Sequence, residues 1–185
     1  MRNDAAALSP AYLESGAAED MTLGGFASSE EFAVFYERHA RPLRGYLGRV
    51  LRDDARADDF LQEAFLRLMR AAIDPASHLD YRRNYLYRIA TNLIHDHYRA
   101  QKRESELPEN LECALEPAGL RRDVQNALDA VSARDRQILW LAYVERFSHR
   151  EIAELTGLKE QSMRPMLLRA RGRLAQELRE RGYTA

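Results

Sequence analysis

Apolar residues recur every three or four positions along most of this chain, and the two-residue alternation of a half-buried strand is nearly absent. That periodicity commits the chain to packed helices and leaves little room for a sheet. Phe32, Phe35, Tyr36, Leu43, Tyr46, Leu47, Val50 and Leu51 share one face of a first helix, with Ser29 as its N-cap. Pro42 inside this pattern predicts a bend or a split. Phe60, Leu61, Ala64, Phe65, Leu68 and Met69 mark a second helix. Leu86, Ile89, Ala90, Leu93, Ile94 and His97 mark a third, from about Asn84 to Lys102. The stretch "ESELPENLECALEPAG" then interrupts the spacing with two prolines, a glycine and five glutamates, a shift of the kind that separates domains. Helical spacing resumes with Leu120, Val124, Ala127, Leu128 and Val131, and again with Ile138, Leu139, Leu141, Ala142 and Val144. The expected architecture is all-α, with two small helical domains at 29–103 and 120–185 and an acidic linker at 104–119. Residues 1–28, rich in Ala, Gly, Ser and acid, are expected to form a flexible extension.

Composition narrows the function. The net charge is −1, so binding to nucleic acid has to come from local patches. The one cysteine, Cys113, excludes an intramolecular disulfide and a C-x-x-C motif. No apolar run approaches the roughly 20 residues of a membrane helix, and the first residues lack the basic start and apolar core of a secretory signal. A reducing cytoplasm is the expected compartment. The chain has no P-loop, no G-x-S-x-G and no H-E-x-x-H. His95 and His97 are two apart and point to different sides of a helix. No enzyme, metal or cofactor is expected.

Three local patches carry chemistry. "SHREIAELTGLKEQSMRPMLLRARGRL" reads as a short helix, a turn at Gly157 and a longer helix that buries Met163, Leu167, Ala170, Leu174 and Leu178. That is a helix-turn-helix pattern, whose second helix would enter a major groove with Arg164, Arg169, Arg171 and Arg173 outward. A merely solvated or glutamate-paired arginine face is the alternative. Pro165 costs little if Ser162 caps this helix, but removes a hydrogen bond if the helix starts at Lys159 or Glu160. "YRRNYLYRIATNLIHDHYRAQKR" interleaves Tyr81, Tyr85, Tyr87 and Tyr98 with six basic residues, which suits phosphates and stacked bases of a single strand. Its tyrosines fit a core equally well. "DDARADDFLQEAFLRL" sets Asp58, Asp59, Gln62 and Glu63 beside apolar positions and suits a protein partner. Acids complementing a helix N-terminus explain part of it.

In this order the segments resemble the extracytoplasmic-function (ECF) group of bacterial sigma factors, over about Glu30 to Leu178. "RADDFLQEAFLRL" resembles the core-polymerase-binding segment of region 2, and "YLYRIATNLIHDHYRAQKR" the promoter-melting helix. The segment from Ala127 to Leu174 resembles region 4. The resemblance implies that Asp58, Asp59, Gln62, Glu63 and Leu66 meet core RNA polymerase. It implies that the loop from Ile73 to Arg83, with the start of the third helix, holds a flipped −10 base. Arg82, Arg83, Asn92, Asp96, Tyr98 and Arg99 would meet the −10 region of promoter DNA. Ser162, Arg164, Pro165, Met166, Arg169 and Arg171 would meet the −35 element. An anti-sigma factor is implied as a further partner, and the acidic linker would thread the polymerase interior. The family pattern Gly-Thr-Val-Lys/Arg-Ser-Arg stands here as Gln161 to Met166, with Pro165 and Met166 in place of small polar and basic residues. Less phosphate contact and more apolar contact follow.

Two other readings compete. A sigma-like mimic would sequester an anti-sigma factor and open no DNA. A stand-alone helix-turn-helix regulator would need a dimer helix or ligand domain, whereas residues 30–103 look directed at polymerase.

Overall fold

Ser28, one residue earlier than expected, opens the first helix. Its hydroxyl accepts the backbone N–H of Glu31 at 3.1 Å, and the Glu31 carboxylate reaches back to the N–H of Ala27 at 2.7 Å. Ala27's N–H and then the Arg82 guanidinium hold the Glu31 carboxyl below its ordinary range. Helix α1 runs Ser29–Leu51 and passes through Pro42 as one element, so the expected split does not occur. Its Phe35, Leu43, Tyr46, Leu47 and Val50 are buried. The computed structural model describes residues 25–74, 76–104 and 120–183. Most of the N-terminal extension and all but the first residue of the acidic linker lie outside the described residues. The last residues of the extension do not behave as a loose tail. Phe26 is buried, packs edge-on against Phe32 and beside Phe35, and lies under the Arg82 guanidinium at 4.6 Å.

Helix α2, Asp54–Arg70, is capped by Asp53, which accepts the Arg56 N–H at 2.9 Å. It buries Ala57, Leu61, Ala64, Phe65 and Leu68, one stripe at helical spacing. A short loop follows, in which Asp74 accepts the Ala76 N–H. Helix α3, Leu79–Glu104, starts five residues before the expected Asn84. Tyr81, Arg82 and Arg83 are therefore helical, and the loop expected to reach Arg83 ends at His78. Aromatic and apolar side chains from all three helices, among them Phe35, Tyr46, Phe65, Leu86, Tyr87 and Ile94, fill the space between them.

The second unit comprises α4 (Leu120–Ala130), α5 (Ala133–Leu139), a π-helical turn (Trp140–Val144), α6 (His149–Thr156) and α7 (Glu160–Glu180). The wider turn is marked by Glu145 N–H bonding the Trp140 carbonyl. It turns Tyr143 and Val144 outward, so Val144 is not a core residue as its spacing suggested. No strand occurs among the described residues.

The two units share one hydrophobic core, with α1 packed on α5 and α3 on α6. Arg136 sits at the seam, buried. Its guanidinium donates to the carbonyls of Leu128, Asp129 and Val131 at the end of α4, and to those of Arg49 and Val50 at the end of α1. One side chain thus caps the C-termini of two helices, where carbonyls lack intrahelical donors and the dipole favours a cation. Beside it the Gln137 amide donates to the Tyr46 hydroxyl at 2.8 Å, and that hydroxyl shares a hydrogen bond with Thr91. Burial is the main reason the Tyr46 phenol is pushed up to about 12, so it stays neutral. The Trp140 ring lies against Gly45, near the Arg49 guanidinium, and its Nε1 donates to Glu145.

Candidate polymerase and nucleic-acid interfaces

On α2, positions 59, 62, 63 and 66 fall on one face by helical spacing. Asp59, Gln62 and Leu66 are exposed, and Glu63 is half-buried and paired with Arg67 at 2.6 Å. Leu66, 41% exposed, is the apolar centre of this acidic patch. Asp58 lies at its edge, where Arg44 of α1 grips both carboxylate oxygens. That bidentate pair fixes Asp58 in place.

On α3 Tyr81, Arg88, Asn92, Asp96 and Arg99 are exposed and form one helical stripe with Tyr85, which is half-buried against the core. Tyr81 and Tyr85 stack with ring centroids 6.4 Å apart, and Arg88 lies over the Tyr85 ring at 4.8 Å. Arg99 pairs with Asp96 at 3.3 Å. The other sequence-derived residues of this group sit elsewhere. Arg82 is buried and spans Glu31 and the Gly25 carbonyl, so it tethers the segment ahead of α1. Arg83 is half-buried and donates to the Glu145 carbonyl at 2.7 Å. Tyr98 turns inward and donates to the Val50 carbonyl at 2.7 Å. Burial raises its phenol above the ordinary value, against the pull of Arg136 and Arg52. Tyr81, Tyr85 and Arg88 were read from the sequence only as parts of an aromatic and basic segment; their spacing of four and three brings them together.

The helix-turn-helix is built from local rules. Ser148 and Glu151 form a capping box at α6. Burial alone would raise the Glu151 carboxyl, but donors from Ser148 and Asn84, with Arg83 nearby, hold it below its ordinary range. Gly157 closes α6 at φ 68°, and a side chain there would meet no neighbour within 4 Å. Gly157→Ala is therefore expected to cost about 1 kcal/mol from backbone conformation alone, read as a shift in the urea midpoint. Helix α7 starts at Glu160 after Lys159, with no side-chain cap. Ser162 is therefore not the N-cap, and Pro165 lies sixth in the helix, where its missing N–H leaves the Gln161 carbonyl without a helical donor. Met163, Leu167 and Ala170 face inward. Arg164, Pro165, Arg169 and Arg171 face outward, and Ser162 and Met166 are half-buried. Leu168, 69% exposed, stands among these arginines and was not anticipated. Among the described residues no His, Cys, Asp and Glu group is placed to hold a metal, and no helix is long and apolar enough to cross a membrane.

Two family models match this arrangement, sigma-70 region 2 over residues 35–104 and sigma-70 region 4 over residues 121–174. Together they take in about two thirds of the chain. The chain belongs to the sigma-70 family. Its curated relatives place it in the ECF group of these transcription initiation factors. This sigma factor is 28% identical over 141 residues to the RNA polymerase sigma factor CarQ of Myxococcus xanthus, covering 71% of this chain and 79% of that one. It is 27% identical over 177 residues to the ECF sigma factor SigL of Mycobacterium tuberculosis, covering 88% and 98%. Among solved structures its fold matches the sigma factor RpoE in complex with the anti-sigma factor NepR from Bartonella quintana, with TM-score 0.68 and 22% identity over 81% of this chain and 98% of that one. It also matches CnrH in complex with the cytosolic domain of CnrY, with TM-score 0.62 and 22% identity over 85% and 93%.

Proposed function

We propose that this sigma factor binds core RNA polymerase, directs it to specific promoters and helps to melt their −10 region. The observation that carries this reading is that three exposed faces of different chemistry follow in chain order. These are an acidic and apolar face on α2, an aromatic and basic stripe on α3, and a basic groove-reading face on α7. In this reading Asp58, Asp59, Gln62, Glu63 and Leu66 meet the polymerase. Tyr81, Tyr85, Arg88, Asn92 and Arg99 track the separated −10 strand, with bases stacked on the tyrosines and phosphates near the guanidiniums. Capture of an extruded base offsets the few kcal/mol of unstacking. Arg164, Pro165, Leu168, Arg169 and Arg171 meet the −35 duplex. Each unit alone offers few DNA contacts. Held together by polymerase, each raises the effective concentration of the other. The work takes place where the polymerase is, in the cytoplasm, under the control of an anti-sigma factor.

Run-off transcription with core RNA polymerase tests the reading: addition of the purified chain is expected to give a defined transcript from its own promoter. Core binding without opening at any promoter would favour an anti-sigma-sequestering mimic. Binding as a dimer to a palindromic site without core would favour a stand-alone regulator. Within the −35 face, Pro165→Ser restores a helical N–H and a small hydroxyl at the centre of the reading surface. It is expected to change base preference at one or two −35 positions by about tenfold, the scale of one side-chain-to-base contact. Selection from a randomised −35 library measures it, and an unchanged profile removes Pro165 from the specificity determinants.

A further inference from the structure

The last residues ahead of α1 touch both ends of the loop that joins α2 to α3. Asp74, Ala76 and His78 of this loop are exposed, so packing does little to fix them. Asp74 accepts the Ala76 N–H on its carboxylate and the Ser77 N–H on its carbonyl, each at 2.9 Å. These bonds shape the loop locally but tie it to nothing else. The incoming stem is Ile73, which is buried. Gly25 lies directly against it: a side-chain carbon on Gly25 would stand 2.6 Å from the Ile73 carbonyl oxygen. Gly25 also takes a φ of 79°, so close approach and backbone conformation both call for glycine. The outgoing stem is the first turn of α3, where Arg82 is buried. Its guanidinium donates to the Gly25 carbonyl, lies 4.6 Å from the Phe26 ring centroid and pairs with Glu31 at 2.6 Å. Phe26 in turn is buried against Phe32 and Phe35 of α1. Two adjacent residues from far earlier in the chain thus join the two stems and fix both to α1.

The same loop borders a cavity. Ala76, Ser77 and His78 line it with Val34 and His39 of α1, and Arg82 reaches it as well, around a space of about 350 Å³. That is the lower end of ligand-sized clefts and has room for one base. The family resemblance gives this loop to a flipped −10 base. Gly25 and Phe26 do not line the cavity. They act on it from behind, through Ile73 and Arg82. A buried guanidinium must keep its acceptors. Without the Gly25 carbonyl and the Phe26 ring, Arg82 has the cavity to turn into.

We propose that Gly25 and Phe26 are positioning residues for capture of the −10 base: they staple the stems of the α2–α3 loop and keep its cavity shaped and open. This rests on the proposed function and gives the end of the N-terminal extension a part in it.

The test uses holoenzyme and a fluorescent single strand carrying the −10 element, with each base in turn replaced by an abasic nucleotide. In the wild type, one abasic position is expected to weaken binding about tenfold or more, the scale of a captured base. Phe26→Ala should bind that abasic strand as the wild type does and lose the preference for the intact one, so the ratio of affinities falls close to one. A merely structural defect lowers both affinities together and keeps the ratio, and that outcome would overturn the staple. Phe26→Leu, which keeps an apolar anchor, should recover most of the ratio. If Phe26→Ala does not fold, Gly25→Ala carries the test, because the ring stays and the added carbon displaces Ile73. A wild-type ratio in that variant would overturn the staple and leave the functional reading intact. A wild-type holoenzyme indifferent to every abasic position would overturn base capture itself, and the staple with it.

Discussion

Arg136→Ala is expected to lower the unfolding free energy by about 3–5 kcal/mol, among the largest effects of a single substitution in this chain. The guanidinium holds five carbonyls, three at the end of α4 and two at the end of α1. Alanine takes this donor from all five, Tyr98 still serving only the Val50 carbonyl, and each buried group left unpartnered costs about 1–3 kcal/mol. It also removes the positive charge from two helix C-termini. Partial access of water to the rim carbonyls keeps the total below the simple sum. Arg136→Lys should recover less than half of the loss, since an ammonium has three donors and no planar fork. Urea unfolding at unchanged slope reads the difference. A loss under about 1 kcal/mol for alanine would show that the two helix ends need no shared cap.

The second large effect concerns partner binding. Asp59→Lys combined with Leu66→Arg is expected to weaken binding to core polymerase at least a hundredfold, or about 3 kcal/mol. Leu66 is the apolar centre of the α2 face, and its replacement puts an unpaired charge where water should be expelled. Asp59 supplies exposed negative charge beside it, and its reversal turns attraction into repulsion. Both side chains are exposed, so the helix and its thermal stability should be unchanged. Binding measured by biolayer interferometry, with a melting curve as control, separates the cases. Near-wild-type affinity would remove α2 from the polymerase interface.

Much of this fold was legible because helical spacing and capping chemistry are local. Phe35, Leu43, Tyr46, Leu47 and Val50 of the first stripe and Leu61, Ala64, Phe65 and Leu68 of the second face inward as their spacing required, while Phe60 and Met69 are half-buried and Ala57 joins the buried face. Gly157 and the pair Ser148 and Glu151 mark the helix-turn-helix without any tertiary information. The failures came from contacts distant in sequence. Arg82 and Arg83 read as surface cations, yet one is drawn inward by Glu31 and the other by Glu145, 51 and 62 residues away. Arg136 and Gln137 look like an ordinary polar stretch until α1 supplies their partners. Val144 followed the α-helical count, which a single π-turn resets. The start of α7 was left open by two equally local options around Pro165, and the structure takes the one that makes the proline interior.

The position of Trp140 has a practical consequence. It is the chain's one tryptophan, and its indole stands at the seam, against Gly45 and beside Arg49 of the other unit. The chain therefore carries an intrinsic fluorophore in the contact between its two units. Unfolding exchanges that packed and charged neighbourhood for water, which moves indole emission to longer wavelength. Loss of the contact in a urea titration can thus be followed by the chain's own light, with no label attached.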